Sequence, residues 1–466
     1  MYDVVIIGAG VVGSAIAREL SKYQLKILLA EKSYDVSNGA TKANSAIVHA
    51  GYDPLPGTLM ARFNVRGNQL FPELCKKLSV PFRQIGSLVL AFDEDDMEKV
   101  ETLYQRGVAN GVPQQEILER QQILDLEPNI NPEVKKALWC GTAGVVSPYE
   151  LAIALCENAY INGTEIELNC EVLGIKKAEG CYELETTKKT VRSKLVINAA
   201  GIYADRINNW VSAIRFFIKP VKGQYMLLNK TTGDLARHVI FQCPTRLGKG
   251  VLVTPTVYGN TLIGPDAQDV RDKTDTSIND QKWDYIKKTA LKSFPEIPFE
   301  KTIKTFAGLR AEADTNDFII GEAEDAPNFI NVAGIKSPGL TSSPAIAEHV
   351  CKMVLKKFNQ TELRPDFQPF RQSPMLEYMD RETGRKLKET DPAYGKIICK
   401  CEQISEGEIR DAVSRFPRAV TKDGVKRRVR AGMGPCQGRR CGAEVDRILS
   451  EQREAAGTQN AVKKGG

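Results

Sequence analysis

Short apolar runs of strand length recur along most of the chain and alternate with stretches in which apolar residues have helical spacing. Apolar runs bounded by glycine or polar residues are typical of β-strands, whereas apolar residues three and four positions apart indicate helices. The strand-like runs are DVVIIGAG, KILLAEK, SLVLAF, KLVINAAG, QYMLL, VLVTPT, NTLIG, FIIGE and NFINVAG. This mixture predicts an α/β chain with a mainly parallel sheet and an antiparallel sheet inserted into it.

The last quarter of the sequence follows a different pattern. A helix predicted over 345–358 ends in basic residues, and the segment after it contains three prolines and little periodicity. We therefore predict a large domain over 1–365, a linker over 366–390 and a small module over 391–452. The remainder, 453–466, is polar and ends in glycine, so we expect it to be disordered.

Composition limits the class of protein. Of the 466 residues, 42% are hydrophobic and 26% are charged, which is ordinary for a soluble globular chain of two or three domains. No apolar run is long enough to span a membrane. The sequence opens directly on a strand without a basic leader, so we expect a cytoplasmic protein that reaches a membrane only through a partner.

Most of the net charge of +6 lies in the C-terminal module, where residues 391–450 contain thirteen Lys and Arg against eight Asp and Glu. A basic patch can indicate nucleic-acid binding. This one lacks interleaved aromatic residues and surrounds four cysteines whose thiolates would offset it. We therefore expect no nucleic-acid partner.

Eleven cysteines are present, an odd number in a chain without a leader, which argues against a disulfide framework and for a reducing compartment. Seven of them are scattered singly and are expected to be buried small hydrophobic residues: Cys75, Cys140, Cys156, Cys170, Cys181, Cys243 and Cys351.

The N-terminal segment carries a dinucleotide-binding pattern. Gly8, Gly10 and Gly13 form G-x-G-x-x-G directly after the first strand and open an amphipathic helix. These glycines permit the tight turn, the approach of a pyrophosphate and close packing of the helix on the sheet. Glu31 ends the second strand, where an acid can accept hydrogen bonds from ribose hydroxyls. Two further strands, in KLVINAAGIYAD and NFINVAGIKSPGL, also end in glycine-containing segments. They favour a cofactor that the protein holds at more groups than its pyrophosphate alone.

With these three motifs, residues 1–365 resemble the D-amino-acid-oxidase-like FAD-dependent oxidoreductases. The resemblance implies noncovalent FAD, an antiparallel substrate domain over the flavin, and oxidation of a C–H bond beside oxygen or nitrogen. Within this superfamily, NSAIVHAGYDPLPGTLMARF and AGIKSPGLTSSPA look similar to the glycerol-3-phosphate dehydrogenase group, especially its anaerobic large subunit, and to the L-2-hydroxyglutarate dehydrogenases and oxidases.

The resemblance also implies a division of the large domain. The FAD-binding part is expected over about 1–75, 145–212 and 300–365, and the substrate part over about 76–144 and 213–299. The expected cofactor-binding residues are Gly8, Gly10, Gly13, Glu31, Lys32, Thr41, Asn44, Ser45, Val172, Ala200, Gly201, Gly334, Gly339, Leu340 and Thr341.

Oxidation of a secondary alcohol needs a base for the hydroxyl proton, and histidine is the first candidate. The chain has three. His49 falls where the family has a loop beside the flavin ring, and we interpret it as a base or a flavin contact. His238 lies in the expected substrate part, and His349 sits inside the last helix of the large domain, where packing is its expected role.

An anionic substrate also needs a clamp, and a guanidinium can bind a carboxylate or a phosphate bidentately. Arg310 is our first candidate, because relatives place an arginine there; the alternative is a surface ion pair with Glu312 or Asp314. Lys336 is a second candidate for the flavin or the substrate anion. Tyr225 and Thr254 are candidate pocket residues. Leu252 occupies the place where the hydroxyglutarate group tends to carry a histidine, which weakens the dicarboxylate interpretation.

The remaining four cysteines form two close pairs. Cys399 and Cys401 make C-x-C, and Cys436 and Cys441 make C-x4-C after an interval of 34 residues. Two tight pairs indicate a metal site, and both zinc and a 2Fe–2S cluster accept four thiolates. The spacing alone leaves both open.

The segments KCEQISEGEI and RAGMGPCQGRRCG resemble the bacterioferritin-associated-ferredoxin-like 2Fe–2S domain over about 396–450, which implies a 2Fe–2S cluster. Local patterns agree with a helical module. Ser405 and Glu408 predict a capping box. A second helix has Val425 and Val429 on one face and basic residues on the others, and Cys441 precedes a third helix.

Together these features predict a flavin dehydrogenase that passes electrons singly through the cluster to a second redox subunit or a quinone-linked acceptor. The preferred substrate is sn-glycerol 3-phosphate, oxidised to dihydroxyacetone phosphate. L-2-hydroxyglutarate, another 2-hydroxy acid or an amino acid remains an alternative, as does an electron-relay subunit without its own substrate. The basic rim at Arg439 and Arg440 is a candidate docking face for an acidic partner. The apolar and basic stretch AIRFFIKPVK is a candidate interface.

Overall fold

The computed structural model describes residues 1–244, 250–360, 362–373 and 375–462; for 456–462 only the backbone is described. The strands are β1 (Tyr2–Ile7), β2 (Ile27–Ala30), β3 (Ile47–Val48), β4 (Phe82–Gln84), β5 (Ser87–Ala91), β6 (Gln115–Glu119), β7 (Lys136–Cys140), β8 (Gly144–Val146), β9 (Glu165–Glu167), β10 (Val172–Ala178), β11 (Cys181–Thr186), β12 (Thr190–Asn198), β13 (Ile218–Leu228), β14 (Val239–Gln242), β15 (Leu252–Pro255), β16 (Thr261–Gly264), β17 (Gln268–Asp269), β18 (Thr302–Ala313), β19 (Ile319–Ala323), β20 (Ala326–Ala333), β21 (Ile397–Cys399) and β22 (Ile404–Ser405).

The α-helices are α1 (Val11–Leu20), α2 (Leu59–Leu78), α3 (Glu94–Asn110), α4 (Arg120–Leu126), α5 (Pro148–Ile161), α6 (Ala204–Asn208), α7 (Trp283–Ser293), α8 (Gly339–Phe358), α9 (Arg381–Thr390), α10 (Glu406–Ser414), α11 (Lys422–Val429) and α12 (Gly442–Val462). None of the helices in the described part of the chain is both long enough and apolar enough to cross a membrane.

A mainly parallel sheet forms the first layer and confirms the predicted α/β class. Its order is β12-β1-β2-β9, all parallel, with β20 parallel to the end of β12. The antiparallel strands β10 and β11 extend the sheet beside the start of β12. Apart from Asp3, the residues of the central strands β1 and β2 are apolar and pack into clusters on both faces of the sheet, which is the usual pattern of a buried parallel strand.

A second sheet, antiparallel except for the parallel pair β14 and β5, confirms the predicted insertion. Its order is β17-β13-β16-β15-β14-β5-β7-β6, and β18 pairs with β13 along its length, from Ile218↔Ala313 to Leu228↔Thr302. The strand β18 lies in a segment, 300–365, that the sequence interpretation assigned to the FAD-binding part. The structure places it in the antiparallel sheet instead, because its pairing partner is β13.

The helices α1, α2, α5 and α8 pack beside the parallel sheet and carry its largest apolar cluster. Gly67 on α2 lies so close to the backbone of Thr341 on α8 that a Cβ atom would collide with the Thr341 carbonyl oxygen. The close crossing of the two helices brings the N-terminus of α8 next to the strand β3 and the loop after it.

The C-terminal module packs its own apolar core from α10, α11, α12 and the two short strands β21 and β22. The predicted capping box is confirmed, since Ser405 accepts from the Glu408 backbone and the Glu408 carboxylate accepts from Ser405 N. All seven singly placed cysteines are buried, as expected.

Two helices of this region lie partly or wholly in the predicted linker and tail. The second half of the predicted linker is the exposed helix α9, begun by Asp380, whose side chain accepts from Thr383 N. The helix α12 continues to Val462, into the segment expected to be disordered, and near its start Arg447 pairs with Glu444 and Glu451. Residues 463–466 lie outside the described residues.

Candidate redox site

The glycine turn between β1 and α1 has the geometry that the sequence predicts. Gly8 has φ +104°, and a Cβ atom on it would lie 2.6 Å from the Ala199 carbonyl oxygen. A Cβ atom on Gly13 would collide with the Gly8 carbonyl oxygen, and one on Gly10 would lie 3.4 Å from Thr41 Oγ1. No side chain caps the helix at Gly10, so α1 directs backbone N–H groups and its positive dipole end at this turn.

The predicted ribose-binding acid is held firmly at the end of β2. Glu31 is only 9% exposed, and its carboxylate accepts hydrogen bonds from Ala9 N at 2.7 Å and Ser33 N at 2.8 Å. The neighbouring Lys32 has its Nζ 3.6 Å from the centre of the Tyr203 ring, in the turn that begins at Gly201. The oxygen atoms of Glu31 retain lone pairs for hydroxyl donors, as a ribose contact requires.

The predicted segment 41–45 links the two sheets. Thr41 Oγ1 accepts from Val11 N at 3.1 Å, and the Asn44 amide donates to the Thr41 carbonyl and accepts from Ala46 N. Ser45 Oγ then lies 3.3 Å from the hydroxyl of Tyr225 on β13. The segment therefore connects the first turn of α1 with the antiparallel sheet.

A second helix N-terminus faces the same region. Gly334 has φ +65°, and the following turn closes through a hydrogen bond of 2.6 Å from Gly339 N to the Lys336 carbonyl. No side chain caps α8, and the Leu340 side chain is partly buried beside it. Thr341 Oγ1 accepts from His49 N at 2.9 Å, so this helix end is fastened to the candidate base.

The remaining predicted cofactor residues lie at the ends of the neighbouring strands. Ala200 and Gly201 follow β12 beside the glycine turn, and Gly201 has φ +57°. Val172 opens β10 and is buried in an apolar cluster. A buried Ser14 hydroxyl in the first turn of α1 lacks a hydrogen-bond partner among the described residues. Two uncapped helix ends, a glycine cradle, an acid and an unsatisfied hydroxyl fit a bound FAD.

The imidazole of His49 lies between the two halves of the large domain. Its Nε2 is 3.4 Å from Ser337 Oγ, and its ring stacks on Phe241 with the centroids 5.7 Å apart. His49 also borders a small cavity that Tyr52 and Leu103 help to line. The histidine thus stands where β3, the substrate sheet and the α8 turn meet.

One face of the antiparallel sheet is directed at this meeting point. Residues paired across β13 and β18 share a face with every second residue along each strand. By this register, Tyr225, Gly308, Arg310 and Glu312 share a face. A Cβ atom on Gly308 would collide with the Ala43 carbonyl, and Lys336 Nζ lies 3.6 Å from Glu312 Oε2. Two segments with predicted cofactor residues, the one around Ala43 and the turn before α8, therefore contact this face.

The guanidinium of Arg310 is partly buried and donates through Nη2 to the Asp266 carbonyl at 2.9 Å. Among the described residues it forms no ion pair with Glu312 or Asp314, the alternative that the sequence left open. Glu312 pairs with Lys336 instead. Most of the N–H donors of Arg310 therefore stay available for an anionic ligand.

The other pocket candidates differ in their surroundings. Tyr225 is 4% exposed and stacks on Phe306 with centroids 4.9 Å apart, while its hydroxyl reaches Ser45. Thr254 is fully buried and its hydroxyl donates to the Pro255 carbonyl, so it is part of the packed sheet. Leu252 is buried in the apolar cluster that also contains Phe241.

The other two histidines have structural surroundings. His238 Nδ1 lies 2.7 Å from the buried Glu127 carboxylate, and its ring packs edge-on against Trp139. His349 packs against Phe63 on α2, and burial lowers the pKa of its imidazole.

In the C-terminal module the four cysteines converge as two pairs. Cys401 Sγ lies 3.6 Å from Cys436 Sγ, and the thiol of Cys441 contacts that of Cys399. Among the described residues, no three of these sulfurs lie within 4.8 Å of one another. Four sulfurs around one tetrahedral zinc would be about 3.8 Å apart in every pair, given a Zn–S distance of about 2.3 Å. Two separate pairs fit two irons better than one zinc.

Backbone groups closely approach the more exposed cysteine pair, Cys401 and Cys436. A Cβ atom on Gly434 would collide with Cys401 Cβ. Backbone N–H groups of Arg440, Gly438 and Arg439 lower the pKa of the Cys436 thiol, with the Arg440 group the largest cause. Donors of this kind stabilise thiolate ligands and a negatively charged cluster. The donor set and its surroundings fit a 2Fe–2S cluster.

An ion cluster that sequence reasoning missed fastens the module to the large domain. Asp35, four residues after Glu31, is fully buried, and its carboxylate accepts from Arg428 Nη2 at 2.8 Å and Arg427 Nη2 at 3.1 Å. Both arginines are less than 4% exposed. The sequence assigned them to the outward faces of α11, and no local signal indicates a carboxylate nearly four hundred residues away.

A second buried network, also missed, joins three parts of the molecule. Arg430 pairs with Glu402 at 2.9 Å, one residue after a cysteine ligand, and its guanidinium carbon lies 3.5 Å from the centre of the Tyr258 ring. The Tyr258 hydroxyl bonds Glu150 on α5, and burial raises the pKa of that carboxyl to about 7. The network connects the cysteine loop to helix α5 and to the turn between β15 and β16.

Two known protein families match separate parts of the chain, the large domain and the C-terminal module. The family described as FAD dependent oxidoreductase matches residues 3–353, and the BFD-like [2Fe-2S] binding domain matches residues 397–451. The second match begins just before Cys399 and ends after Cys441, so it includes all four cysteines.

Individual relatives cover most of the chain. A glycerol 3-phosphate dehydrogenase of Caloramator mitchellensis is 51% identical over 453 residues, which are 97% of this chain and 94% of that protein. The solved structure of the dithionite-reduced L-alpha-glycerophosphate oxidase from Mycoplasma pneumoniae with FAD bound is 34% identical, covers 79% of this chain and 98% of its own, and superposes with a TM-score of 0.74. An Arabidopsis thaliana mitochondrial L-2-hydroxyglutarate dehydrogenase is 27% identical over 76% of this chain and 83% of that protein.

Proposed function

The chain belongs to the FAD-dependent oxidoreductase family and carries a C-terminal 2Fe–2S domain, and from this premise we propose that it oxidises sn-glycerol 3-phosphate to dihydroxyacetone phosphate. The observation that carries the proposal is the 51% identity to a glycerol 3-phosphate dehydrogenase along almost the full length of both chains, module included. When bound, FAD supplies the hydride acceptor and the cluster a one-electron outlet.

The position of His49 suits removal of a proton from the substrate's secondary hydroxyl. Its Nε2 faces the Ser337 hydroxyl, and its main chain is fixed through Thr341, so the imidazole is oriented before substrate binds. A neutral imidazole near neutral pH can accept such a proton. Ser337 is placed to hold the same ring nitrogen until the substrate hydroxyl replaces it.

The phosphate is assigned to Arg310. One donor of the guanidinium is fixed by the Asp266 carbonyl, which orients the planar group and leaves its other N–H groups for two phosphate oxygens. Lys336 adds a second positive charge at the same face, partly balanced by Glu312. Two cations around a phosphate favour the phosphorylated alcohol over a neutral one.

The dicarboxylate alternative has weaker support. Leu252 stands in an apolar cluster where a polar group would be needed, and the L-2-hydroxyglutarate dehydrogenase relative shares only 27% identity. The relay alternative, a subunit without its own substrate, is disfavoured because His49, Arg310 and Lys336 lie around one meeting point of the two sheets.

The direct test is anaerobic mixing of the FAD-loaded protein with single substrates while the flavin absorbance is followed. We expect sn-glycerol 3-phosphate to bleach the flavin within seconds. L-2-hydroxyglutarate, glycerol and glycine at the same concentration serve as controls and should bleach it far more slowly. Faster bleaching by L-2-hydroxyglutarate would replace the proposed substrate, and no bleaching by any of them would favour the relay.

A further inference from the structure

The two cysteine pairs differ in their access to solvent. Cys399 and Cys441 are 1% and 2% exposed and belong to the apolar core of the module. Cys401 and Cys436 are partly exposed, and Pro435 beside them is exposed. Electron tunnelling weakens steeply with distance, so a redox partner on the surface would exchange electrons through the side of the cluster that Cys401 and Cys436 hold.

Unpaired positive charges flank this side. Lys400 precedes Cys401, while the backbone of Arg439 and Arg440 surrounds the Cys436 sulfur; all three side chains are exposed. None of the three forms an ion pair with the described residues. Several other exposed cations of the module do have carboxylate partners: Lys396 pairs with Glu406, Lys422 with Asp446, and Arg410 with Glu406 and Glu451.

We propose that Lys400, Cys401, Cys436, Arg439 and Arg440 form an exit surface that docks an acidic one-electron carrier protein. The inference rests on the proposed electron outlet through the cluster and adds the chemistry of the acceptor and the place where it binds. The reduced cluster loses one electron and is oxidised, and the redox centre of the carrier gains that electron; no bond breaks and no proton moves. Complementary charge accelerates such encounters and orients the carrier over the outer cysteine pair.

A competing explanation is that the three cations only offset the negative charge of the cluster. The two explanations differ in what a charge reversal changes. Loss of a docking surface slows transfer to an acidic acceptor, leaves the cluster potential nearly unchanged and reverses the salt dependence. Loss of a local compensating charge shifts the potential and slows transfer to every acceptor alike.

The test uses holoenzyme reduced with dithionite, so that its outcome does not depend on the substrate assignment. Stopped-flow kinetics follow electron transfer to the acidic haem protein cytochrome b5 and to the basic cytochrome c, over a range of salt. The test variant is Arg439→Glu with Arg440→Glu. The matched control is Arg418→Glu, an exposed arginine of the same module without an ion pair among the described residues. Cluster content and reduction potential are measured by EPR for each protein.

We expect the wild-type protein to reduce cytochrome b5 at a rate that falls with added salt. The double variant should lose about tenfold or more of this rate at low salt and gain rate with cytochrome c, a magnitude typical of electrostatic steering. The control should match the wild type. Failure of the wild type to reduce cytochrome b5, an equal loss in the control, or a potential shift that accounts for the loss would each overturn the proposal. An unfolded double variant would be replaced by Arg439→Gln with Arg440→Gln, for which a smaller loss of the same kind is expected.

Discussion

Arg310 is the residue on which the choice of an anionic substrate depends most directly. Its guanidinium lies on the sheet face that meets the cofactor segments, is oriented by the Asp266 carbonyl and has no carboxylate partner among the described residues. A partly buried cation without a carboxylate is costly unless a ligand satisfies it. The residue therefore has the properties of an oxyanion-binding group that awaits its ligand.

We predict that Arg310→Lys raises the KM for sn-glycerol 3-phosphate by roughly 10- to 100-fold while kcat changes less. A lysine keeps the charge but loses the bidentate geometry, and hydrogen bonds to charged groups contribute about 1.5–3 kcal/mol. Loss of binding common to ground and transition states appears in KM. Steady-state kinetics with an artificial acceptor provides the measurement.

The control for this prediction is Arg215→Lys, since Arg215 is exposed and lies in the segment between α6 and β13. Its kinetics should match the wild type. An Arg310→Lys enzyme with unchanged KM would remove Arg310 from the substrate site.

Among the secondary-structure elements, α11 shows how a surface pattern in sequence becomes an internal contact. The helix begins at Thr421, whose side chain caps Gly424 N, and its valines face the module core as predicted. Arg427 and Arg428, which the sequence places on its other faces, form buried ion pairs with Asp35 of the large domain. Helix periodicity and capping depend on neighbouring residues and can therefore be predicted from the sequence. An ion-pair partner hundreds of residues away leaves no local pattern in the sequence.

We predict that Asp35→Asn destabilises the attachment of the module by about 3–5 kcal/mol. The change leaves two buried guanidinium groups without their carboxylate, and breaking a buried ion pair on one side carries a cost of this size. Thermal unfolding should show an earlier transition for the module, and limited proteolysis should cut faster in the segment between α8 and α10.

Asp446→Asn is the matched control, because Asp446 and its partner Lys422 are each more than half exposed. Its cost should stay below about 1 kcal/mol, as for other surface pairs. If both variants unfold alike, the Asp35 cluster does not hold the module in place.

Across the whole molecule, the parts built from neighbouring residues were predictable and the parts built from remote ones were not. The glycine turn, the ribose acid and the four cysteines are local motifs, and the FAD and cluster regions follow from them. The assignment of β18 to the substrate sheet depends on pairing with β13, about eighty residues earlier in the sequence. The network from Glu150 through Tyr258 and Arg430 to Glu402 likewise joins four distant segments, so only the fold reveals it.

These long-range contacts have one consequence for function. The ion cluster at Asp35 and the Arg430 network fix the cysteine module against both parts of the flavoprotein, so the module is an integral part of the structure. Electrons from the substrate are then expected to reach the cluster within the same chain. An oxidase that delivered its electrons to oxygen at the flavin would not need this arrangement.

The most direct measurement is low-temperature EPR of the anaerobic holoenzyme after addition of sn-glycerol 3-phosphate. We expect the substrate to bleach the flavin and, in the same sample, to produce the EPR signal of a reduced 2Fe–2S cluster. Dithionite supplies the reference for full reduction, and the sample without substrate stays silent. A bleached flavin without a cluster signal, while dithionite does produce that signal, would show that this chain does not carry electrons from its substrate to the cluster.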